Sequence, residues 1–432
     1  MCNKRMEKNR RICIFGLGYV GLPLACLAAE KGYKVTGVDI DDEKINLVNN
    51  GISPIDDDEL KNKLKILKGK IKATNDGLNA VKESDIVVIC VPTPVDENYH
   101  PNLKYVKESA KIISEVLKKG QLVILESTVA PMTTENILKP ILEKSGLICG
   151  EDFYLCFCPE RIDPGNKKFK LKDIPRVVGG INKESTERAI NFYNSILDSE
   201  VLGLSSPEVA EAVKIMENTF RDINIAFVNE MAKSFDRLGI DITEVIRGAS
   251  TKPFAFMPHY PGCGVGGHCI SVDPYYFIEQ ASKKGFEHRF LRLAREINNS
   301  MPDYSVERVI EGLNEIGKSV RGTEISVLGL AYKGNVDDTR ESPAFLIIEK
   351  LKKMNGNVKV FDPYILEMSN FKTLDEALCC ECIVIITDHD EFKNLDLNSV
   401  KERGVKVIID GRNILDKEKV KELGIVYKGI GK

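Results

Sequence analysis

Short apolar runs alternate with amphipathic helical stretches along the N-terminal part of the chain. Strands are predicted at 11–15, 34–38, 85–91 and 122–126, with a helix at 22–31. Runs that are apolar throughout are typical of parallel strands buried on both faces, and strands that alternate with helices form βαβ units. We therefore predict an α/β fold that begins with a doubly wound, Rossmann-like domain at residues 1–205.

One long helical pattern follows, opened by Ser206 and ended near Gly239. Its polar residues at spacings of three, four and three share one face, and they are Glu211, Lys214, Asn218 and Arg221. Such a stripe is either a solvated surface or the lining of a site. The other faces, which we expect to be buried, carry Met216, Phe220, Ile223 and Phe227.

This long helix belongs to a predicted helical domain at 206–315, and we expect it to form part of a dimer interface.

A second alternation of strands and helices follows, with strands predicted at 324–330, 358–362, 382–386 and 405–410 and a helix through Lys353. We assign residues 316–432 to a second doubly wound domain. It lacks a G-x-G-x-x-G turn, so we expect it to hold a nucleotide other than NAD through Lys333 and backbone groups. The alternative interpretation is that Lys333 and Arg340 are surface charges in a loop.

Composition removes several classes of function. The chain has 432 residues, a formal net charge of -3, 29% charged and 43% hydrophobic residues, which gives no basic excess for nucleic acid. Its apolar runs are far shorter than the roughly 20 residues that span a bilayer. The cysteines are scattered, and Cys13, Cys90 and Cys382 lie in strand patterns, so we expect reduced thiols in a cytoplasmic protein and no metal site.

The turn after the first predicted strand has the spacing of a dinucleotide site. Its expected cofactor-binding residues are Gly16, Gly18, Tyr19, Val20 and Gly21. In such a turn the glycines allow a tight bend, close approach of a pyrophosphate and close packing of helix on strand. Asp39 ends the second strand eighteen residues after Gly21, where an acid hydrogen-bonds the ribose.

The residues around Asp39 favour NAD over NADP. Acidic residues follow it and no arginine is near to hold a 2′-phosphate. The alternative role for Asp39 is to cap the helix that begins near Asp42. Thr93 and Thr128 follow the next two strands, and ligands gather at the carboxyl ends of parallel strands. We therefore expect both threonines to line the cofactor or substrate cleft.

A glycine-rich loop, Pro261 to Tyr275, carries a cysteine between a pair of glycines and an acid. Cys269 follows four glycines, and Asp273 lies four residues beyond it. A thiolate adds readily to a carbonyl carbon, so this loop is a candidate covalent site. The alternative is a buried cysteine near a turn.

Seven motifs in order together resemble the UDP-glucose/GDP-mannose dehydrogenase family over almost the whole chain. They are Gly16-x-Gly-x-x-Gly21, Val91-Pro-Thr-Pro94, Glu126-Ser-Thr128, Pro159-Glu-Arg161, Glu211-Ala-x-Lys214-x-x-x-Asn218, Gly266-Gly-His-Cys269 with Asp273, and Tyr332-Lys333 with Asp338-x-Arg340. Residues 157–166 and 252–262 look most like members that oxidise UDP-N-acetylglucosamine, with UDP-N-acetylmannosamine enzymes the close second. Cys263 stands where proline is expected, and we expect this second thiol to complicate labelling of Cys269.

The resemblance implies oxidation of a sugar C6 alcohol to a carboxylate with two NAD in turn, through a thiohemiacetal and a thioester on Cys269. It implies further catalytic roles for Lys214, Asn218, Asp273, Glu160 and Thr128. Substrate binding is implied for Glu160, Arg161, Lys214, Asn218, Arg221, Lys252, Gly266, Tyr332 and Lys333, and cofactor contact for Thr93, Thr128 and Arg340. A UDP-glucose 6-dehydrogenase, a two-electron dehydrogenase and a silent nucleotide-sugar binding protein stay open as alternatives.

Overall fold

The structure is a computed structural model, and it describes residues 10–96, 101–161, 169–267 and 270–432. The chain divides into two compact units, one formed by Met1–Glu217 with Tyr275–Phe286 and the other by Asn218–Pro274 with Glu287–Lys432. Each unit contains one sheet, and each predicted Rossmann-like range contains the strands of one of them. The three predicted domain ranges themselves stay a prediction.

The first unit is built on an eight-stranded sheet. Its strands are β1 (Arg11–Phe15), β2 (Lys34–Val38), β3 (Ile71–Thr74), β4 (Ile86–Ile89), β5 (Leu122–Leu125), β6 (Tyr154–Phe157), β7 (Arg176–Gly180) and β8 (Val201–Leu204). Their order is β3-β2-β1-β4-β5-β6-β7-β8, and only the β6–β7 pair is antiparallel. The first six have the strand order of a dinucleotide-binding Rossmann fold.

Helices lie on both sides of this sheet. They are α1 (Gly21–Glu30), α2 (Asp42–Asn49), α3 (Asp58–Ile66), α4 (Gly77–Glu83), α5 (Lys104–Val116), α6 (Lys139–Leu142) and α7 (Lys183–Ile196), with a π-helical turn at Thr134–Leu138. Because side chains alternate along a strand, Ile12 and Ile14 pack into one core and Cys13 and Phe15 into the other. The prediction of a doubly wound sheet is confirmed.

The second unit carries a five-stranded, all-parallel sheet. Its strands are β9 (Glu324–Leu328), β10 (Asn357–Phe361), β11 (Cys382–Ile385), β12 (Val407–Asp410) and β13 (Val426–Gly429). They lie in the order β10-β9-β11-β12-β13, which is the other common doubly wound arrangement. Its two faces are covered by separate apolar cores.

The remaining helices follow in chain order. They are α8 (Pro207–Leu238), α9 (Ile242–Ala249), α10 (Asp273–Ser282), α11 (Arg289–Asn299), α12 (Met301–Glu315), α13 (Pro343–Lys353), α14 (Leu374–Ala377), α15 (Asp390–Lys393), α16 (Leu397–Glu402) and α17 (Lys417–Glu422). The long helix is confirmed as α8, which begins in the first unit and ends in the second. Within the described ranges, no helix is both long and apolar enough to cross a bilayer.

Helix α8 buries a different face from the one we predicted. Met216, Phe220 and Phe227 are 64%, 49% and 54% exposed, so the expectation that their faces are buried is wrong, whereas Ile223 is half-buried. Glu211 and Lys214 on the polar stripe are buried instead. A buried charged group needs partners, and the next subsection shows that both residues have them.

Candidate active site

The turn between β1 and α1 is shaped to receive a phosphate. Gly16 has a φ of 88°, a conformation that favours glycine, and a Cβ on Gly21 would collide with the carbonyl of Gly16. A Cβ on Gly18 would meet nothing within 4 Å, so the backbone there is open to a ligand. Val20, the N-cap of α1, makes no side-chain cap bond to the first N–H groups of the helix. The turn therefore fits the pyrophosphate of NAD.

Asp39 follows β2 and contacts the same turn. Its Oδ2 accepts the N–H of Leu17 at 2.8 Å and its Oδ1 accepts the N–H of Asp41 at 3.1 Å. The cap of α2 is Asp41, which accepts from the N–H groups of Glu43 and Lys44. The alternative that Asp39 caps this helix is therefore wrong, and its ribose role stays a prediction.

The polar turns after β4 and β5 are joined to each other. The hydroxyl of Thr93 donates to the carbonyl of Thr128 at 2.7 Å. The hydroxyl of Tyr276, on α10 in the same unit, donates to the carbonyl of Thr93 at 2.6 Å. The structure thus brings together the two predicted threonines, in turns of the same sheet that carries the glycine turn. Tyr276, which we did not predict, is bonded to Thr93.

Lys214 is buried on α8 and holds the loop after β6. Its Nζ donates to the carbonyl of Glu160 at 2.7 Å and lies 3.9 Å from Oε2 of the same residue. The neighbouring Arg161 pairs with Glu217 and donates to the carbonyl of Pro175 at 2.9 Å. An ammonium held in this way is a preorganised donor for negative charge that develops during a reaction.

A buried ion pair that we did not predict fixes the loops on which these residues lie. Nη1 of Arg176 lies 3.3 Å from Oε2 of Glu126 and 3.2 Å from the carbonyl of Pro159. The hydroxyl of Tyr193 donates to the other oxygen of Glu126. One guanidinium therefore connects the start of the loop with Thr128 to the loop after β6. The available signal was an arginine at the start of an apolar strand.

Glu211 is fully buried one turn before Lys214. Its carboxylate accepts the N–H of Met132 at 2.6 Å and both the N–H and the hydroxyl of Thr134, at 2.8 and 2.6 Å. Burial raises the pKa of Glu211 to about 7, and the hydrogen bonds from Thr134 and Met132 oppose that shift. At this end of α8, the interpretation of the polar stripe as a solvated surface is wrong.

The second unit brings together two more of the predicted catalytic residues. Nδ2 of Asn218 donates to Oδ2 of Asp273, the buried first residue of α10. Arg221, one turn further along α8, is exposed. Cys269 lies outside the described residues, so its covalent role stays a prediction.

The glycines before Cys269 pack against the loop that follows β9. A Cβ on Gly266 would lie 2.7 Å from the Cβ of Tyr332, so this approach requires glycine. The N–H of Gly267 donates to the carbonyl of Arg340 at 2.9 Å. Arg340 itself makes a two-pronged ion pair with Asp338, with Nη2 to Oδ2 at 2.6 Å. Lys333, in the same loop, is half-buried.

Asp362, which we did not predict, accepts hydrogen bonds from the start of this loop. Oδ2 of Asp362, which follows β10, accepts the N–H groups of Leu330 and Ala331 at 2.7 and 2.9 Å. Nε2 of His389 lies 3.1 Å from the same oxygen, and Nδ1 accepts the N–H of Asn335 at 2.9 Å. The sequence could have indicated Asp362, because it follows β10, the second strand of its sheet in chain order, as Asp39 follows β2.

Two remaining predictions concern Cys263 and Lys252. Cys263 is buried, and burial raises the pKa of its thiol to about 11, so the expectation that it complicates labelling is wrong. Lys252 is exposed, with Nζ 4.9 Å from the ring centroid of Phe254. The described cysteines are free thiols, and of these only Cys379 is exposed.

Sequence profiles of the UDP-glucose/GDP-mannose dehydrogenase family match most of the chain. The NAD binding domain matches residues 10–197, the central domain 208–300 and the UDP binding domain 326–417. The chain is 38% identical to a UDP-N-acetyl-D-mannosamine dehydrogenase of Methanococcus maripaludis, over 99% of each. It is 35% identical to a UDP-N-acetyl-D-glucosamine 6-dehydrogenase of Pseudomonas aeruginosa, over 95% of this chain and 99% of that one.

A solved structure agrees with these matches. The UDP-D-ManNAc dehydrogenase of Pyrococcus horikoshii superposes with a TM-score of 0.91 at 38% identity, over 98% of this chain and 99% of the other. A glycine turn that fits NAD, at the first strand of a doubly wound sheet, is typical of dinucleotide-binding proteins. The chain belongs to the UDP-glucose/GDP-mannose dehydrogenase family and is an NAD-dependent nucleotide-sugar dehydrogenase.

Proposed function

We propose that this chain oxidises the C6 alcohol of a UDP-N-acetylhexosamine to the carboxylate, with two NAD+ for each sugar. The observation that carries the proposal is the buried Lys214, held on the carbonyl of Glu160 in the unit whose glycine turn fits NAD. A buried ammonium must be paired or hydrogen-bonded, and the bond to Glu160 holds that of Lys214 in one position. An ammonium held in this way stabilises an alkoxide or oxyanion at C6.

The chemistry runs in four steps. Lys214 stabilises the alkoxide as the C6 alcohol loses its proton and a hydride. NAD+ held at the glycine turn would accept the hydride of each oxidation. The thiolate of Cys269 adds to the C6 aldehyde, and the carbonyl oxygen takes a proton to give a thiohemiacetal. Loss of that proton and a second hydride leaves a thioester. Water then adds to the carbonyl carbon, the C–S bond breaks, and the carboxylate and thiol are released.

The other predicted residues serve the same reaction. Asn218 donates to the oxyanion, while Asp273, Glu160 and Thr128 bind water or move protons. The residues proposed to hold the UDP-sugar are Glu160, Arg161, Lys214, Asn218, Arg221, Lys252, Gly266, Tyr332 and Lys333. The present ion pairs of Arg161 with Glu217 and Arg340 with Asp338 must then be exchanged for substrate or cofactor contacts.

The relatives bear on the epimer at C2 of the sugar. Relatives at 36–38% identity over nearly the whole chain carry the name UDP-N-acetyl-D-mannosamine dehydrogenase, and the glucosamine enzyme follows at 35%. We therefore rank UDP-N-acetylmannosamine first and UDP-N-acetylglucosamine, which the sequence motifs favoured, second.

The exposed apolar face of α8 supports a homodimer. Met216, Phe220 and Phe227 are spaced four and seven residues apart and so share one face of the helix. Exposed apolar patches of this kind are typical of protein interfaces. We propose that a second copy covers this face, and we expect light scattering to show a dimer that Phe220→Glu with Phe227→Glu converts to a monomer.

A substrate panel tests the proposed function. Purified protein is incubated with NAD+ and each of UDP-ManNAc, UDP-GlcNAc, UDP-GalNAc and UDP-glucose, and NADH and product mass are followed. We expect a uronic acid from one or both N-acetylhexosamines, formed fastest from UDP-ManNAc. Tight UDP-sugar binding without NADH would favour the silent binding protein. One NADH for each sugar, with an aldehyde product, would favour a two-electron dehydrogenase.

A further inference from the structure

Three polar residues on the part of α8 in the second unit are buried or half-buried on one face. Asn218, Asp222 and Asn229 are separated by four and seven residues, which returns each to the same side of a helix. Asp222 and Asn229 are among the fully enclosed polar residues of the chain. Neither contributes to the roles proposed above, although both lie on the helix that carries Asn218.

Asn229 is bonded to the first glycine of the cysteine loop. Its Oδ1 accepts the N–H of Gly262 at 3.0 Å, and its Nδ2 donates to Oδ1 of Asn298 on α11 at 2.9 Å. Gly262 opens the segment whose later glycines pack against Tyr332. A buried N–H without an acceptor is costly. The oxygen of Asn229 therefore fixes the position along α8 at which the start of the loop packs.

The orientation of the Asn229 amide is set by a chain of hydrogen bonds that starts at a charge. Nη1 of Arg295 donates to Oδ1 of Asp222 at 2.6 Å. Nδ2 of Asn298 donates to the same oxygen at 2.8 Å and to the carbonyl of Asp222 at 3.0 Å. The amide of Asn298 must therefore present its oxygen to Asn229, and Asn229 must present its own oxygen to Gly262. We call Arg295, Asp222, Asn298 and Asn229 the α8 network.

The far end of the loop is bonded to the same helix. Nδ2 of Asn218 donates to Oδ2 of Asp273, four residues after Cys269 in sequence. Residues 262 and 273, which flank the proposed nucleophile, are thus both hydrogen-bonded to α8. The first bond depends on the α8 network, and the second is made by a residue proposed to act in the reaction.

Stability alone gives no reason for such a network. A buried ion pair and two buried amides can be replaced by well-packed apolar residues at little or no cost in stability. What apolar residues cannot provide is a directional acceptor at one position. We propose that Asn229, oriented by Asp222 and Asn298, is a positioning residue that fixes the start of the cysteine loop for thiol addition at C6. The proposal rests on the proposed function.

The test compares two variants of Asn229 with a matched control. Asn229→Leu keeps the branched shape of the side chain but replaces the amide oxygen and nitrogen with methyl groups and so removes the acceptor, and Asn229→Asp keeps an oxygen for the N–H of Gly262. Asn314→Leu makes the same change at an exposed asparagine of α12, in the same unit. Steady-state rates with NAD+ and the UDP-sugar are measured with hydrogen exchange of the backbone amides at 261–267.

For Asn229→Leu we expect kcat to fall about 100-fold, as for a displacement of about 1 Å at a reacting group. KM for the UDP-sugar should change less than about threefold, because the loop start does not bind substrate. Exchange at 261–267 should rise about tenfold, while exchange at 357–361 in β10 stays at the wild-type rate. Asn229→Asp keeps the acceptor for Gly262 but loses the donor to Asn298, so it should recover part of the rate, and Asn314→Leu should match wild type.

Two results would overturn the positioning role. One is a kcat within twofold of wild type in Asn229→Leu, with or without faster exchange. The other is equal loss of rate in Asn229→Leu and Asn229→Asp with unchanged exchange at 261–267. If wild type forms no NADH from any sugar, the proposed function fails, and hydrogen exchange alone decides whether Asn229 holds the loop: faster exchange in Asn229→Leu supports that anchor, and unchanged exchange rejects it.

Discussion

The two doubly wound sheets place an acid at the same topological position and differ in what surrounds it. Asp39 follows β2 and Asp362 follows β10, and each accepts a backbone N–H from the loop after the first strand, at 2.8 and 2.7 Å. Asp362 also accepts from Ala331 and from Nε2 of His389, and it is fully buried, whereas Asp39 is 9% exposed. Asp362 is therefore occupied within the protein, and Asp39 retains a small exposed surface.

The histidine explains the difference between the two acids. His389 lies in the loop after β11, and Thr93 lies in the loop after β4, the strand that takes the same place beside the first strand of its own sheet. His389 bonds both Asp362 and the N–H of Asn335, so it ties the loop before α13 to the sheet. The predicted role of Asp39 in binding the ribose is therefore one that Asp362, which holds the loop after β9, does not share.

Replacing the internal acid should have the largest effect. Asp362→Ala leaves His389 and the backbone N–H groups of Leu330, Ala331 and Tyr364 without their acceptor, and we expect about 4 kcal/mol of unfolding free energy to be lost. Denaturant unfolding of the full chain measures this loss. Asp39→Ala is the matched comparison and should lose no more than about 2 kcal/mol, since its carboxylate accepts only the N–H groups of Leu17 and Asp41. Equal losses in the two variants would contradict the distinction.

Replacing the accessible acid should act on the cofactor instead. Asp39→Ala removes a charged acceptor for the ribose, so we expect NAD+ affinity to fall about 30-fold, equivalent to about 2 kcal/mol. Titration calorimetry with NAD+ measures the change, and UDP affinity of the same variant serves as the control. An unchanged affinity for NAD+ would remove Asp39 from the cofactor site.

The histidine variant should have a smaller effect. His389→Phe keeps the ring that stacks on Tyr364 at 4.9 Å but removes the bonds to Asp362 and Asn335. We expect a loss of about 2 kcal/mol in unfolding free energy and weaker UDP binding, with NAD+ affinity unchanged. Weaker NAD+ binding with intact UDP binding would reverse the assignment of the two sheets.

The smallest effect is expected in acid. Burial tends to raise the pKa of Asp362, but hydrogen bonds from His389, Ala331 and Leu330 outweigh it, and the net pKa is lowered. A carboxyl with a lowered pKa in the fold contributes stability above its unfolded pKa of about 3.9, and this is lost as pH falls through the folded value. Unfolding free energy should therefore fall below about pH 4 in wild type and fall less steeply in Asp362→Asn. Parallel pH profiles would contradict this role.

The strands and the long helix could be predicted from the sequence because both depend on local periodicity. The run at 11–15 is apolar after Arg11, and the run at 34–38 has valine at both Val35 and Val38; they became β1 and β2 with the predicted bounds. Periodicity divided α8 into a polar and an apolar face, but it does not state which face is buried. At the N-terminal end of α8, the polar face is buried because its residues bond to partners that are distant in sequence, such as Glu160 for Lys214 and Thr134 for Glu211. A local pattern contains no information about such partners.

The site was predictable only as far as motifs name residues. Lys214 with Glu160, and Asn218 with Asp273, were all named from motifs and are in contact in pairs. The groups that hold them were missed because each lies on an element remote in sequence. Arg176 is 50 residues from Glu126, and Asn298 is 76 from Asp222. The sequence could have indicated Asp362, because it follows the second strand of its sheet as Asp39 does. It gave no signal for His389, which bonds Asp362 to the loop before α13.

The most direct measurement counts NADH and carboxylate formed from one UDP-N-acetylhexosamine by wild type and by Cys269→Ser. We expect wild type to form two NADH for each carboxylate. We expect the variant to bind NAD+ and to unfold as wild type does, but to form no carboxylate, because no thiol is present to capture the aldehyde. Carboxylate from Cys269→Ser at near the wild-type rate would contradict covalent oxidation at C6.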